Sequence, residues 1–109
     1  MLLAAVSLLA CLGDNAWAYV GPITGTVATL EVVGSGGGAP GNGDFRFYLA
    51  GNTIICNGQT WAYINTTDVN YAALVSSLIL AKSLGSTVSI YVNQDSNGYC
   101  QLAIIGAIN

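Results

Sequence analysis

Between residues 53 and 91 the chain reads TIICNGQTWAYINTTDVNYAALVSSLILAKSLGSTVSIY, and this stretch restricts the fold more than any other. Tyr71, Leu74, Val75, Leu78 and Ala81 recur at three- and four-residue spacing, the period of a buried helical face. Lys82 in the last turn and Gly85 just beyond it are ordinary helix-ending signals. Asn65, Thr66, Thr67 and Asp68 offer N-caps, and Asp68 suits the positive end of the helix dipole. Before the helix, residues 53–56 and 59–63 are joined by Asn57-Gly58, a pair that favours a type I′ hairpin turn. After it, Val88, Ile90 and Val92 alternate with Thr87, Ser89 and Tyr91, as in a half-buried strand. One helix set between strands needs a sheet to pack on, and the remaining segments must supply it.

They read as further strands. Residues 23–33 are rich in Thr and Val, with apolar residues on both faces. That pattern fits a strand that bends between two sheets or lies in an interface, with Gly25 as the bend or bulge. Residues 34–43 hold six glycines in ten positions. A phosphate-binding loop would open a helix, but residues 44–49 alternate as a strand, so the glycine run is a linker. After a turn at 94–98, residues 99–105 form the last strand, with Cys100, Leu102 and Ile104 on one face. The expectation is a mainly β, α+β chain: a small barrel of five to six strands with a single helix packed on it. Residues 19–109 are too few for two cores and make one domain.

The chain is 53% hydrophobic and only 6% charged, which excludes disorder and leaves Thr, Ser, Asn, Gln, Gly and Ala to build the outer faces. Such a surface suits an extracellular protein, or one that assembles with copies of itself. The helix repeats the theme, because beyond its apolar stripe it is small and almost uncharged. Two readings stand side by side: contact with neighbouring subunits of a homo-oligomer, or a Ser/Ala-rich face in water.

Residues 1–12 are almost wholly apolar and Ala16-Trp17-Ala18 is a small-x-small cleavage site, so residues 1–18 read as a signal peptide cut after Ala18. The apolar run is too short to span a bilayer. The usual basic segment is missing, which leaves open whether Met1 is the true start. A lipoprotein signal, Leu8-Leu9-Ala10-Cys11, is the alternative. The cut at Ala18 predicts a secreted or periplasmic chain with two cysteines, Cys56 and Cys100. On adjacent strands in an oxidising compartment these most simply form one disulfide. Two free buried thiols are the alternative, and two Cys without His cannot close a zinc shell.

The net charge is −3, with five acids against Arg46 and Lys82 and no His at all. No basic patch is available for nucleic acid or for an anionic membrane surface. Without His, neither a Ser-His-Asp nor a Cys-His arrangement can form. Glu31, Asp44, Asp68 and Asp95 stand singly, with no spacing that marks a glycosidase-like pair. The expectation is a protein that is not an enzyme and holds no cofactor or metal. Uncharged Thr, Asn, Gln and Tyr form the kind of surface that meets sugars, through hydroxyl-directed hydrogen bonds and a ring to lie against. Tyr19, Tyr91, Gln94 and Tyr99 are candidates. Trp61, on the same strand face as Tyr63, reads first as a plug of the core or an interface. Asn65-Thr66-Thr67 fits the N-glycosylation sequon.

The order strand, strand, hairpin, helix ending in Gly, strand, strand is that of small oligonucleotide/oligosaccharide-binding-fold (OB-fold) barrels. At residue level Ile23-Thr24-Gly25-Thr26-Val27, Trp61 before the helix, and the run Leu84-Gly85-Ser86-Thr87-Val88-Ser89-Ile90-Tyr91 resemble the B subunits of AB5 toxins of the subtilase cytotoxin and typhoid-toxin type. The resemblance runs from about residue 23 to residue 91. It implies a pentamer that binds sialylated cell-surface glycans, possessing a separate A chain. It also implies a sugar contact from a first-strand hydroxyl, at Thr24 here. A tyrosine that assists in some relatives falls at Val92, beside Tyr91. The family's first disulfide would pair Cys56 with a second-strand position that is Tyr48 here, so Cys100 takes that place.

Overall fold

The computed structural model describes residues 19–34 and 43–108. The expected signal peptide, Cys11 and most of the glycine linker lie outside the described residues. Five strands and one helix follow in order: β1 (Val20–Val32), β2 (Phe45–Leu49), β3 (Trp61–Ile64), α1 (Tyr71–Leu84), β4 (Thr87–Gln94) and β5 (Cys100–Ala107). The strands close into a barrel in the order β1-β2-β3-β5-β4. All pairings are antiparallel except β3 with β5, which meet in parallel at Tyr63 and Gln101. The expected α+β class and single helix on a five-stranded barrel are what the described residues form.

The long first strand closes the barrel by serving two neighbours. Its first half pairs with β4, Thr24 opposite Ser89, and its second half pairs with β2, Glu31 opposite Arg46. This explains its apolar residues on both faces. The break in register falls at Ala28, between Val27 and Thr29, rather than at Gly25. An extra residue on one strand sharpens the local twist, which lets the strand turn from one partner to the other.

Alternation then decides what is inside. Phe45, Phe47 and Leu49 of β2, Ala62 and Ile64 of β3, and Val88, Ile90 and Val92 of β4 are buried in one core. Leu78 and Ala81 of α1 are buried against it, with Tyr71, Leu74 and Val75 packed alongside, so the helical stripe faces inward as its spacing predicts. Gly85 ends the helix in the left-handed region at φ 65°, and its N–H reaches the carbonyls of the last turn.

Three expectations need correction. The helix starts at Tyr71 after a left-handed Asn70, and no side chain caps it. Asp68 instead accepts hydrogen bonds from the Asn65 N–H at 2.9 Å and from the Gln101 side chain at 2.8 Å, fastening β3's exit to β5. Residues 53–56 form no strand; the hairpin is reduced to a Cys56–Gln59 bridge around Asn57 and Gly58, both at positive φ as a type I′ turn requires. In β5 the inward face is Cys100 and Leu102 but not Ile104, which is 45% exposed. A register shift leaves Ala103 unpaired between Leu102 and Ile104, and Ile105 turns toward the core in place of Ile104.

Cys56 and Cys100 are joined in a disulfide with Cα atoms 6.0 Å apart, both buried. Such a bond requires a non-reducing compartment. No helix among the described residues is long and apolar enough to cross a membrane. The bond closes 44 residues of sequence separation, worth about 4 kcal/mol by loss of unfolded-chain entropy. We expect the Cys56→Ala/Cys100→Ala double variant to lose about 2–5 kcal/mol in urea denaturation with circular dichroism, and an unchanged midpoint would refute that role.

Candidate functional site

The outward residues of β2 and β3 gather the chain's most concentrated chemistry. Strand alternation sends Arg46 and Tyr48 of β2, and Trp61 and Tyr63 of β3, to the outside of the barrel. Register sets Arg46 directly opposite Tyr63, and Tyr48 opposite Trp61. The β4–β5 turn folds over the end of this face and brings Asp95 and Tyr99. Together with Gly43, at the end of the glycine linker, these residues enclose a cleft of about 220 Å³ lined by Arg46, Trp61, Tyr63, Asp95 and Tyr99.

Trp61 is the floor. Its ring centroid lies 5.2 Å from that of Tyr99 and 6.2 Å from that of Tyr63, with interplanar angles of 39° and 45°. The Arg46 guanidinium sits 5.1 Å from the Trp61 ring, within cation–π range. Arg46 Nε donates to the Gly43 carbonyl at 3.1 Å, which fixes the plane of the guanidinium. Among the described residues its terminal nitrogens make no hydrogen bond, so they remain free to donate into the cleft.

Asp95 organises the wall. Its carboxylate accepts from the Tyr63 hydroxyl at 2.6 Å and from the N–H groups of Asn97 and Tyr99, each at 2.9 Å. The Asp95 N–H in turn donates to the Tyr99 carbonyl at 2.8 Å. The turn needs Gly98 at φ +86°, since a Cβ there would come within 2.6 Å of the Asn57 amide. Asn57 donates to the Gly98 carbonyl at 3.1 Å, and beside it the disulfide binds the same hairpin to the start of β5. The ring of Tyr99, 41% exposed, is thereby held against Trp61 from two directions.

This geometry shifts two ionisations. Burial, then the hydrogen bond to Asp95, then the charges of Asp95 and Asp68, push the Tyr63 hydroxyl well above its ordinary value. Partial burial would raise Asp95, but the hydrogen bonds from Tyr63, Tyr99, Asn97 and Gly98 outweigh it and hold its carboxyl below its usual value. In the linkage sense, Tyr63 keeps a proton in the folded state that the unfolded chain loses above 10.0, so its contribution falls as pH rises past that point. Asp95 contributes above 3.8, and that contribution is lost as pH drops through its lowered folded value.

The sequence-based sites fall elsewhere or change role. Thr24 is exposed on β1 opposite Ser89, and Tyr91 lies two residues along β4 on the same outer face. Tyr91 packs on Gly21, where a Cβ would meet the Tyr91 ring edge at 3.0 Å. The two are therefore neighbours in register, but neither lines the cleft. Trp61 is no core plug: it is half-buried at the outer surface, and Tyr99 is the one proposed sugar-facing tyrosine that joins it. Arg46, Tyr63 and Asp95 were not legible as a group. For Arg46 and Tyr63 the signal is outward parity on β2 and β3, which needs the strand register to become visible, and Asp95 joins them from the β4–β5 turn. Of the single acids, Asp44 accepts from Thr66 N–H and hydroxyl, so it fastens a loop as Asp68 and Asp95 do. Among the described residues no group of three or more Cys, Asp or Glu is placed to hold a metal ion.

No family model, curated protein or solved structure matches the chain.

The Tyr63 arrangement can be tested directly. In an ultraviolet difference titration of the folded protein, one of the six tyrosines should stay protonated well above pH 10.0, and Tyr63→Phe should remove that late step. A late-ionising phenol that persists in Tyr63→Phe would place the buried hydroxyl on another residue.

Proposed function

We propose that the protein is a secreted, non-enzymatic binding module whose outer β2–β3 face takes up glycans. The observation that carries this reading is the cleft in which the half-buried Trp61 ring is flanked by Tyr99, by the Tyr63–Asp95 pair and by the unspent donors of Arg46. Sugars present an apolar ring face edged by hydroxyls, and an aromatic floor beside fixed donors and acceptors is the complement of that shape. In OB-type barrels the strand 2–3 face and its bordering loops are where chain-like ligands bind. Nucleic acid is the less suitable occupant, because Arg46 is the only cation of the cleft and the chain carries −3 overall. The disulfide and the Ala16–Ala18 cleavage site support export before folding. The likeness to AB5 toxin B subunits supports a cell-surface glycan as the target, and with it Thr24 and Tyr91 as rival contacts on the β1–β4 face. An A chain as partner rests on that likeness alone.

A second reading, self-assembly, has its own observation. Ile79, Leu80 and Leu84 are 47%, 60% and 69% exposed on α1, beside an apolar cleft of about 240 Å³ between α1 and the ends of β4 and β5. The only charge on the helix is Lys82, whose ammonium donates to the Ala28 carbonyl at 2.8 Å. Two copies can therefore bring these faces together without like charges opposed, which favours a homo-oligomer over a charged partner.

On a glycan array followed by titration calorimetry, Trp61→Ala should weaken binding about thirtyfold or more, while Thr24→Val and Tyr91→Phe leave it unchanged. Loss in Thr24→Val with Trp61→Ala silent would move the site to the β1–β4 face. For assembly, sedimentation should show an oligomer that Leu80→Ser/Leu84→Ser converts to monomer; a wild-type monomer at high concentration would end that reading.

A further inference from the structure

Beside the Trp61 cleft the same outer face carries a second one, of about 330 Å³, lined by Thr29 and Glu31 of β1, Tyr48 of β2, and Asn52 and Thr60. The two adjoin through the sheet itself. Glu31 of the second cleft stands opposite Arg46 of the first, and Tyr48 of the second stands opposite Trp61 of the first. One row across three strands thus runs Thr29, Tyr48, Trp61, and the next runs Glu31, Arg46, Tyr63. Both clefts set an outward aromatic ring beside unused hydrogen-bonding groups, in the first the terminal nitrogens of Arg46 and in the second whole side chains. Among the described residues no hydrogen bond engages the side chains of Thr29, Glu31, Tyr48, Asn52 or Thr60. The remaining acids are used differently, since Asp44, Asp68 and Asp95 fasten loops.

We propose that the two clefts are successive subsites of one groove, and that the occupant is an extended, β-1,4-linked oligosaccharide lying across β3, β2 and β1. This rests on the glycan reading of the Trp61 cleft and extends it. Neighbouring strands are about 4.8 Å apart, so the span from β3 to β1 is about 10 Å. That is longer than one pyranose, and the strand spacing is close to the advance per residue in an extended β-1,4-linked chain. Such a chain also offers the flat ring faces that two separated aromatic rings require. A first sugar lies against Trp61 and Tyr99, with Arg46 donating to its oxygens. The next lies against Tyr48, where the Glu31 carboxylate accepts from hydroxyls and Thr29, Asn52 and Thr60 complete the shell. Glu31 and Asp95 against Arg46 leave the groove slightly acidic, which disfavours an anionic chain and suits an uncharged one such as glucose or N-acetylglucosamine oligomers.

The test is chain length. Glucose and N-acetylglucosamine, and their β-1,4-linked oligomers up to the tetramer, are titrated against the wild type, Glu31→Gln, Tyr48→Ala and Trp61→Ala. Two added hydrogen bonds and a ring contact should raise affinity about tenfold or more from the monosaccharide to the trisaccharide. Glu31→Gln and Tyr48→Ala should return the trisaccharide to the monosaccharide's affinity and leave monosaccharide binding unchanged, with the near-ultraviolet spectrum confirming an intact fold. Trp61→Ala should lower both. Trp61-dependent binding that is independent of length, or unaffected by Glu31→Gln and Tyr48→Ala, overturns the two-subsite groove while leaving the Trp61 cleft standing. Trp61-dependent binding on the array confined to glycans without a β-1,4-linked run overturns it as well. Absence of any Trp61-dependent glycan binding removes both.

Discussion

The barrel depends on one narrow contact, the parallel meeting of β3 and β5 at Tyr63 and Gln101. Every other pair of neighbouring strands shares a longer antiparallel ladder, so the ring is thinnest here. The chain compensates with covalent and polar ties around this seam. The Cys56–Cys100 bond joins the hairpin before β3 to the first residue of β5. Asp68 accepts from Gln101 at 2.8 Å, and Asp95 accepts from Tyr63 at 2.6 Å. Each tie crosses from the β3 side to the β4–β5 side.

Those same ties build the candidate cleft. Tyr63 belongs at once to the seam and to the aromatic floor beside Trp61, and Asp95 both fastens β3 and shapes the turn that presents Tyr99. Stability of closure and geometry of the surface are therefore coupled: loosening the turn would open the barrel's weakest joint and disperse the rings together. The side chains of the cleft are thus placed by strands and a cross-linked turn. Preorganisation of this kind lowers the entropy cost of binding.

The helix plays a different part. It covers one end of the barrel with a stripe centred on Leu78 and Ala81, and leaves Ile79, Leu80 and Leu84 outside. Ser77 and Ser83 turn their hydroxyls back to carbonyls one turn earlier, at 2.8 and 2.9 Å. With those groups bonded internally, the outer helix face is left mostly apolar, with Ser76, among the described residues, its one unbonded hydroxyl. The β2–β3 face and the helix face differ in kind, one rich in free donors and acceptors, the other nearly without them.

Local pattern was enough for much of this. The helix stripe, the Gly85 stop, the Asn57-Gly58 turn, the inward parity of β2 and β4, and the pairing of the two cysteines follow from short-range spacing and from elimination. Apart from the cysteine pair, such features depend on neighbours a few residues away. The break at Ala28 and the exposure of Ile104 did not follow, because each results from strand register, and a one-residue bulge reverses the facing of every residue beyond it. The start of the helix did not follow either, because Asp68 is engaged by Asn65 and Gln101 instead of capping it. Trp61 is the clearest case. Its sequence neighbours describe a bulky apolar residue on a short strand, which suits a core position equally well. Only closure of the barrel, by setting Tyr48 and Arg46 beside it and folding Asp95 and Tyr99 over it, makes it the floor of an open cleft. Apart from the strand expected at residues 53–56, the sequence determined which elements form; long-range pairing decided which of their faces meets solvent, since facing depends on the partner strand and not on the residue alone.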